Sequence, residues 1–412
     1  MVDATAGFLS SRAGQQRAPN ASHSFSGATG ARDVVDAATL DAYATLADRA
    51  VCAPAQSSEW VAGWMGMSGV DPLLVFVDGA HGARLALPLE IVRKGPFRVA
   101  RFMGGRHANG NLPAASATAG SGPAGHGIDV PAIARTVRVL RPDVDLVHLE
   151  RMADELSGAV NPLAHLPRTQ SPNIALSVDL SGGFDALLER VSGKRKRKKH
   201  RAQTRKFEAA GGVRRIEAST AQEVDRLFDA FLSMKSERFR KMGIADVFAD
   251  FDIQAFWRGL FIGALDGTPR QFVLHGLEVG GELRAVTGSS RVGDRMICEF
   301  GAISEDELAP ASPGEFLFFE DIRAACEAGH AVYDFSVGDE PYKRLWCNIE
   351  STHFDVAIPT TLKGRGLAAL IGLESRLKRV VKRNRALWAM LKTLRRRRRA
   401  AQVGSRTDQE SD

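Results

Sequence analysis

Ionisable side chains are concentrated just after a predicted strand in the last third of the 412-residue chain. β-Branched and aromatic residues at 331–337 predict that strand, and the Gly-Asp-Glu-Pro run after it predicts its end. Asp334, Asp339, Tyr342 and Lys343 would then lie at one rim of a cleft. Either carboxylate could take a proton from an attacking nucleophile, which is what a general base does. Asp334 and Lys343 could equally form an ion pair that only fixes the strand end.

Glu299 is a second candidate base. It lies in the apolar stretch Ile297-Cys298-Glu299-Phe300, where burial would raise the pKa of its carboxyl towards neutrality. The structural alternative is a buried Glu299 neutralised by an arginine, for which Arg284 and Arg291 are the candidates. His275 alternates with apolar residues on a predicted strand, and this pattern is typical of a packed core histidine.

The run Ser-Pro-Gly-Glu at 312–315 predicts the start of a helix that ends at Gly329. Ser312 is the expected N-cap and Glu315 would close a capping box. The backbone N–H groups of Gly314, Glu315 and Phe316 could bind an anion such as a phosphate. The competing interpretation is that the Ser312 and Glu315 side chains satisfy these groups themselves. A capping box uses only some of the free donors, so both can hold.

The elements around this helix form a crossover unit. The strand predicted at Arg295–Ile303, the helix and the strand at 331–337 would wind right-handed, which places the helix start at the cleft beyond the first strand. Two helices and a three-strand meander precede the crossover, and the first half of the chain repeats much the same order. The predicted elements are helices at 36–50, from 57, at 131–140, 184–210, 220–242 and 253–265, and strands at Pro72–Asp78, 84–91, 97–103, 144–150, 270–279 and 283–292.

The net charge of the chain is only +7, but its basic residues are concentrated in two stretches. Residues 194–206 carry nine Lys and Arg with no acid, and residues 363–399 carry 14 against the single Glu374. The first stretch is typical of a solvated helix face, with contact to RNA or an anionic acceptor as a weaker interpretation. The second ends in five arginines and has an apolar stripe, which predicts docking on an anionic membrane surface. That stripe consists of Leu367, Leu370, Ile371, Leu377, Val380, Val381, Leu387, Trp388, Leu391 and Leu394. The alternative for its first turns is packing on the protein body.

The cellular compartment is suggested by three features. No window reaches the ~20 apolar residues of a membrane span, and the N-terminus lacks a secretory pattern. Four cysteines are scattered without metal-binding or disulfide spacing, which predicts a reducing cytoplasm and no zinc site. We expect a cytoplasmic protein that can also lie peripherally at the inner face of the membrane. The cysteines are Cys52, Cys298, Cys326 and Cys347.

The Ser-Pro-Gly at 312–314, the helix ending at Gly329 and the run DFSVGDEPYKRLW at 334–346 resemble the CelD/BcsL-type acyltransferases. These are tandem-GNAT proteins related to the FemAB transferases and linked with bacterial cellulose or exopolysaccharide production. The resemblance covers about residues 55–360, although Ala-Ser-Pro-Gly replaces the pyrophosphate loop of ordinary GNAT enzymes. Ser58-Glu59-Trp60, the strand end at 87–89, the basic helix, Lys235 and Arg238 also fit it.

This resemblance implies an α/β tandem-GNAT fold, with mixed sheets flanked by helices and a C-terminal basic amphipathic helix. Acyl-CoA would lie in the gap where the fourth and fifth strands of the second half splay apart. Asp334 and Lys343 match signature positions, Tyr342 would protonate the leaving thiolate, and Glu299 lies on the strand that often supplies a GNAT base. Ser312, Gly314, Glu315 and Phe316 would hold the donor's pyrophosphate.

We therefore expect an acyltransferase that moves an acyl group, acetyl first among the candidates, from acyl-CoA to an amine or hydroxyl acceptor, without a metal. The acceptor would be glycan-related. The expected organisation is a disordered segment at 1–30, GNAT-like domains at 31–180 and 181–360, and a basic helix and tail at 361–412. Two alternatives stay open. One is a FemAB-like transferase that uses aminoacyl-tRNA, and the other is a non-catalytic adaptor at the membrane surface.

Overall fold

One mixed sheet of 11 strands runs through the computed structural model, which describes residues 35–116 and 128–383. The predicted segment 1–30 and most of the tail lie outside the described residues. The strands are β1 (Pro72–Asp78), β2 (Arg84–Lys94), β3 (Phe97–Phe102), β4 (Leu146–Met152), β5 (Glu155–Leu156), β6 (Ala159–Val160), β7 (Thr169–Asp179), β8 (Val213–Glu217), β9 (Phe272–Val279), β10 (Glu282–Val292), β11 (Arg295–Ile303), β12 (Val332–Val337) and β13 (Ile349–Pro359). Their order across the sheet is β1-β2-β3-β4-β13-β7-β12-β11-β10-β9-β8, and β5 and β6 form a separate hairpin.

Helices flank this sheet, and several begin at a side-chain cap that the sequence predicts. Ser57 accepts from the Trp60 amide, and Thr220 accepts from the Glu223 amide, which satisfies free donors of the first turn. The helices are α1 (Ala37–Ala47), α2 (Ser58–Met65), α3 (Val130–Leu140), α4 (Gly183–Arg190), α5 (Gly193–Ala209), α6 (Ala221–Met242), α7 (Phe251–Gly263), α8 (Pro313–Glu327), α9 (Pro341–Arg344) and α10 (Leu362–Arg383). In the part of the chain that the structure describes, none is long and apolar enough to cross a membrane.

The helix predicted over 184–210 is wrong in one respect, because the chain breaks into α4 and α5. Ser192 adopts a left-handed conformation with φ of 61°, which ends the helical hydrogen bonding. The residue after it must be small, since a Cβ at Gly193 would lie 2.5 Å from the carbonyl oxygen of Leu188. The Ser192-Gly193 pair therefore forms a turn that separates α4 from α5.

The two halves repeat one architecture, as the order of predicted elements indicates. In each half an antiparallel meander leads through a helix to a strand that pairs in parallel with the last meander strand. In the first half α3 connects β3 to β4, and in the second α8 connects β11 to β12.

The halves exchange their last strands. β7 follows the first half in the chain but pairs with β12 of the second half. β13 follows the second half but pairs with β4 of the first, and β7 and β13 pair with each other. The domain boundary predicted at residue 180 falls just after β7 and remains a prediction, because both halves share one sheet.

The cores of the halves also meet, through α2 and α7. The ring of Trp60 lies 4.9 Å from that of Phe256 and 5.1 Å from that of Trp257, in both cases edge to face. Trp64 contacts Phe256 in the same way at 5.0 Å. Trp60 is fully buried, so this aromatic cluster joins the two halves into one hydrophobic core.

Candidate active site

β11 and β12 form a wedge, because they pair only at their beginnings. The parallel register covers three residue pairs and ends at Ile297 opposite Asp334. Beyond that point β12 has an irregular register, and Ser336 has a positive φ of 58°. The facing edges of the two strands therefore have no strand partner there, and their backbone groups can bind an extended ligand as an added strand would be bound.

Aromatic rings line the wide end of the wedge. Phe318 of α8 stacks on Tyr342 of α9 with ring centroids 5.5 Å apart, and it contacts Phe335 of β12 at 4.9 Å. From the other side Lys235 of α6 donates a hydrogen bond to the carbonyl of Gly301 on β11, at 3.1 Å. Burial lowers the pKa of this lysine. The wedge thus has an apolar lining with the Lys235 cation beside it.

Glu299 lies at a β-bulge beside the wedge. Phe300 is opposite Gly288 and Cys298 is opposite Ser289, so Glu299 between them has no partner across the ladder. The bulge needs a glycine on β10, since any side chain at 288 would collide with the Phe300 ring.

The surroundings of Glu299 shift the pKa of its carboxyl upward. Burial raises its pKa to about 7, the hydroxyl of Ser290 lowers it by donating a 2.6 Å hydrogen bond, and the nearby charge of Asp334 raises it. The predicted arginine partners are wrong. Arg284 pairs with Asp306, and Arg291 donates to the carbonyl of Arg270.

The ion pair predicted between Asp334 and Lys343 is not formed. Asp334 binds Arg295 at 2.9 Å and accepts from the amide of Ser336 at 2.7 Å, which fixes the turn after the wedge. Lys343 is buried and donates to the carbonyl of Val337 at 2.9 Å, with Glu340 also at 2.9 Å. Both residues hold the strand end, each through its own partners.

The two remaining candidates at this rim differ in protonation. Asp339 is exposed and pairs with Arg344 at 2.5 Å, and this hydrogen bond lowers the pKa of its carboxyl. Asp339 is therefore a weaker base than Glu299. Tyr342 is 40% exposed, and burial of its ring raises the pKa of the phenol above its usual value. Tyr342 keeps its proton at neutral pH and can donate it.

The helix start at α8 differs from the prediction. Ser312 is left-handed and its side chain caps nothing, while Glu315 binds Lys199 of α5 instead of closing a capping box. The amides of Glu315 and Phe316 both donate to the carbonyl of Ser312, at 3.1 and 3.2 Å. Of the three predicted anion donors, only the Gly314 N–H lacks a partner within the described residues. The Cα atom of Gly314 also packs closely on β11, since a Cβ at this position would lie 2.6 Å from Ile303 Cγ2.

The basic helix α5 packs against this helix start, which the sequence interpretation of a solvated face missed. Gln203 donates to the carbonyl of Ala311 at 2.7 Å, and the His200 ring stacks on Phe316 with centroids 4.4 Å apart. Lys196 lies 3.8 Å above the ring of Trp346, and burial lowers its pKa to about 8. The spacing of residues 196, 200, 203 and 207 on one helix face was the signal that could have predicted this contact.

His275 is a core residue, as its strand pattern indicates. Its ring is buried between the carboxylates of Glu217 and Asp321, at 3.4 and 3.6 Å. A cleft of about 620 Å³ between α6 and the loop 304–307 contains none of the predicted site residues. Its arginines, Arg226 and Arg284, already pair with acids, so the cleft does not point to a donor site.

Comparison with known proteins places a family model on the second half. Residues 194–344 match the model described as an acetyltransferase (GNAT) domain, and this range contains α5, the wedge and α9. No curated protein sequence matches the chain.

Solved structures resemble the chain at low identity. FemX is 12% identical with a TM-score of 0.50, and the match covers 81% of this chain and 98% of FemX. The C-terminal domain of a putative lysylphosphatidylglycerol synthetase from Agrobacterium fabrum is 12% identical with a TM-score of 0.48, over 81% and 95% of the two chains. A tandem GNAT protein from the clavulanic acid biosynthesis pathway is 13% identical with a TM-score of 0.38, over 78% and 94%.

These findings confirm the predicted tandem-GNAT-like α/β fold, and the chain is an acyltransferase with a GNAT domain in its second half. The CelD/BcsL resemblance and the cellulose pathway remain predictions.

Proposed function

We propose that the protein transfers an acyl group from acyl-CoA to an amine or hydroxyl acceptor, with Glu299 as general base. The acceptor attacks the thioester carbonyl carbon, its proton passes to Glu299, and the carbon–sulfur bond breaks. Tyr342 gives its proton to the departing thiolate. The observation that carries this proposal is the Glu299 carboxyl with a pKa of about 7 at the bulge beside the wedge, because a base poised near neutrality is the most effective one.

The donor would be bound at two places. Its extended pantetheine arm would lie along the unpaired edges of β11 and β12. Its diphosphate would contact the Gly314 N–H and the cations that α5 holds beside this helix start, among them Lys196 and Lys199. Acetyl-CoA is our first candidate, and a longer acyl chain would extend into the aromatic lining of the wedge.

The acceptor we propose is a sugar amine or hydroxyl, in cellulose or exopolysaccharide production. The support for this pathway is the resemblance of residues 312–346 to the CelD/BcsL-type transferases. We place the reaction in the cytoplasm, which the four unpaired cysteines support.

Ligand-induced stabilisation tests the donor. A saturating acyl-CoA at about a hundred times its Kd should stabilise the folded chain by about 2.7 kcal/mol. Release of free coenzyme A with amino sugars or glycan oligomers, followed with a thiol reagent, then tests turnover. No thermal shift with acetyl-CoA or with longer acyl-CoAs would overturn the proposal.

A second candidate donor is an aminoacyl-tRNA, favoured by the outer side of α5. Six exposed cations there have no acidic partner within the described residues, and such a row suits a phosphate backbone. They are Lys194, Arg195, Lys198, Arg201, Arg205 and Lys206. This candidate predicts RNA binding that weakens steeply with salt and is reduced by K198Q, R201Q and R205Q together. If the triple variant binds RNA as tightly as the wild type does, the aminoacyl-tRNA candidate is excluded.

A further inference from the structure

The helix α10 is fixed on the sheet by one of its faces. Leu367 is buried against Val99 and Leu146. Thr361, just before the helix, donates to Asp145 at 2.8 Å, and a side chain at Gly364 would collide with the Asp145 carbonyl. The packing of the first turns on the body, which the sequence left as an alternative, is therefore present, and it determines which face of α10 points outward.

The opposite face of α10 is a line of exposed leucines. Leu362, Leu370, Leu373 and Leu377 are 80%, 61%, 55% and 57% exposed. At 100° per residue they lie within about 80° of arc, so they form one stripe. The sequence stripe grouped Leu367 and Ile371 with Leu370 and Leu377, and the structure separates these two pairs onto different faces. Exposed leucines in line are unusual on a monomer and indicate a surface that becomes covered.

Cations border this stripe. Arg365 and Arg376 lie on the same side of it, about 40–60° round the helix, and both are exposed without an acidic partner in residues 35–116 and 128–383. An apolar stripe with a basic border matches a helix that lies in the plane of a bilayer surface.

We propose that the outer face of α10 docks on an anionic lipid bilayer. Its leucines enter the boundary between headgroups and acyl chains, and Arg365 and Arg376 contact lipid phosphates. The positive charge of this face favours an anionic bilayer over two other possible partners, a second copy of the chain and the segment 384–412. A second copy of the chain would bring the same arginines together, which is repulsive. The chain segment 384–412 carries eight Lys and Arg against three acids, and this net positive charge would repel the arginines as well.

Vesicle sedimentation with the full chain tests the proposal. We expect binding to vesicles that mix phosphatidylglycerol with phosphatidylcholine, and much weaker binding to phosphatidylcholine alone. R365Q with R376Q should lower the partition coefficient about 25-fold, since each basic residue near an anionic surface contributes about five-fold. L370S, L373S and L377S together should lower it about 1,000-fold, because each leucine contributes about ten-fold when buried.

The matched control removes three exposed apolar side chains elsewhere, through V139S, V160S and F251S. These residues are 76%, 53% and 79% exposed, and the control variant should bind as the wild type does. The proposal is overturned if the leucine variant still binds, which would point to the arginine-rich tail, or if wild type and leucine variant differ only in oligomeric state. Equal loss in the control variant would also overturn it.

Discussion

Catalysis by the proposed mechanism depends on the protonation state of the Glu299 carboxyl. Its apolar neighbours in the sequence were enough to predict a raised pKa. Its hydrogen-bond partner Ser290 could not be predicted, because the bulge in the β10–β11 ladder decides which β10 residue lies beside it. For the same reason the supposed pair of Asp334 and Lys343 was wrong, since strand irregularity at Ser336 gave each of them other partners.

Glu299→Gln should reduce kcat by a factor of about 10²–10⁴, because the acceptor loses its base. In the wild type, kcat/KM should fall as the pH drops below about 7, where protonation of Glu299 removes the base. This acidic limb of the pH–rate profile should vanish in the variant. Steady-state rates between pH 5 and pH 9 would test this.

Ser290→Ala is the matched control for that profile. The Ser290 hydroxyl stabilises the ionised carboxylate and so lowers the pKa of Glu299. Without it the limb should move to higher pH while the rate at alkaline pH is kept. If the acidic limb of the pH–rate profile stays at the same pH in Ser290→Ala, it reports titration of the acceptor amine, and this would contradict the role of Glu299 as base.

Tyr342→Phe should lower kcat because the leaving thiolate loses its proton donor, while the stack on Phe318 is kept. The loss should shrink with an acyl donor whose leaving thiol is more acidic, since such a thiolate needs no proton. Comparing acetyl-CoA with an aryl thioester gives the readout. An equal loss with both donors would assign Tyr342 to binding or packing.

At the element scale the crossover β11–α8–β12 was predictable, because turn and cap residues mark each boundary. The capping box predicted at the start of α8 is wrong. The run Ser-Pro-Gly-Glu has the residue types of a capping box, but the left-handed backbone at Ser312 prevents it from forming. The chain takes this conformation where α8 must approach β11 closely, and Gly314 against Ile303 shows how close the approach is.

Gly314→Ala should therefore displace the start of α8 from β11. We expect a loss of about 1–3 kcal/mol in the free energy of unfolding, as for other overpacked sites, together with weaker acyl-CoA binding. Adding Ile303→Ala removes the methyl group that the new Cβ meets and should restore part of the donor affinity. Chemical denaturation and calorimetric titration measure the two effects. Unchanged affinity in Gly314→Ala would show that the donor does not contact this helix start.

At the scale of the whole molecule the repeated order of elements was visible in the sequence, but the exchange of β7 and β13 was not. Strand pairing between distant segments leaves no local signal, because either strand could complete either half. The exchange and the aromatic cluster around Trp60 make the two halves one structural unit.

The described body should accordingly unfold in a single cooperative transition. Trp60→Ala in the first half should cost about 3–5 kcal/mol and lower the unfolding midpoint of both halves together. Hydrogen exchange resolved by segment in increasing urea would measure each half separately. Two separated transitions, or a second half whose midpoint stays unchanged, would contradict this coupling.

The proposed mechanism requires the donor to lie in the wedge, and hydrogen exchange with and without acetyl-CoA measures whether it does. Along residues 298–303 of β11 and 335–337 of β12 the edges that face the wedge have no strand partner, so a bound donor should protect the free amides on those edges from exchange. We predict protection concentrated in these two segments and at the start of α8. Protection confined to β3 and β4 of the first half, or none at all under saturating donor, would contradict the proposed donor site.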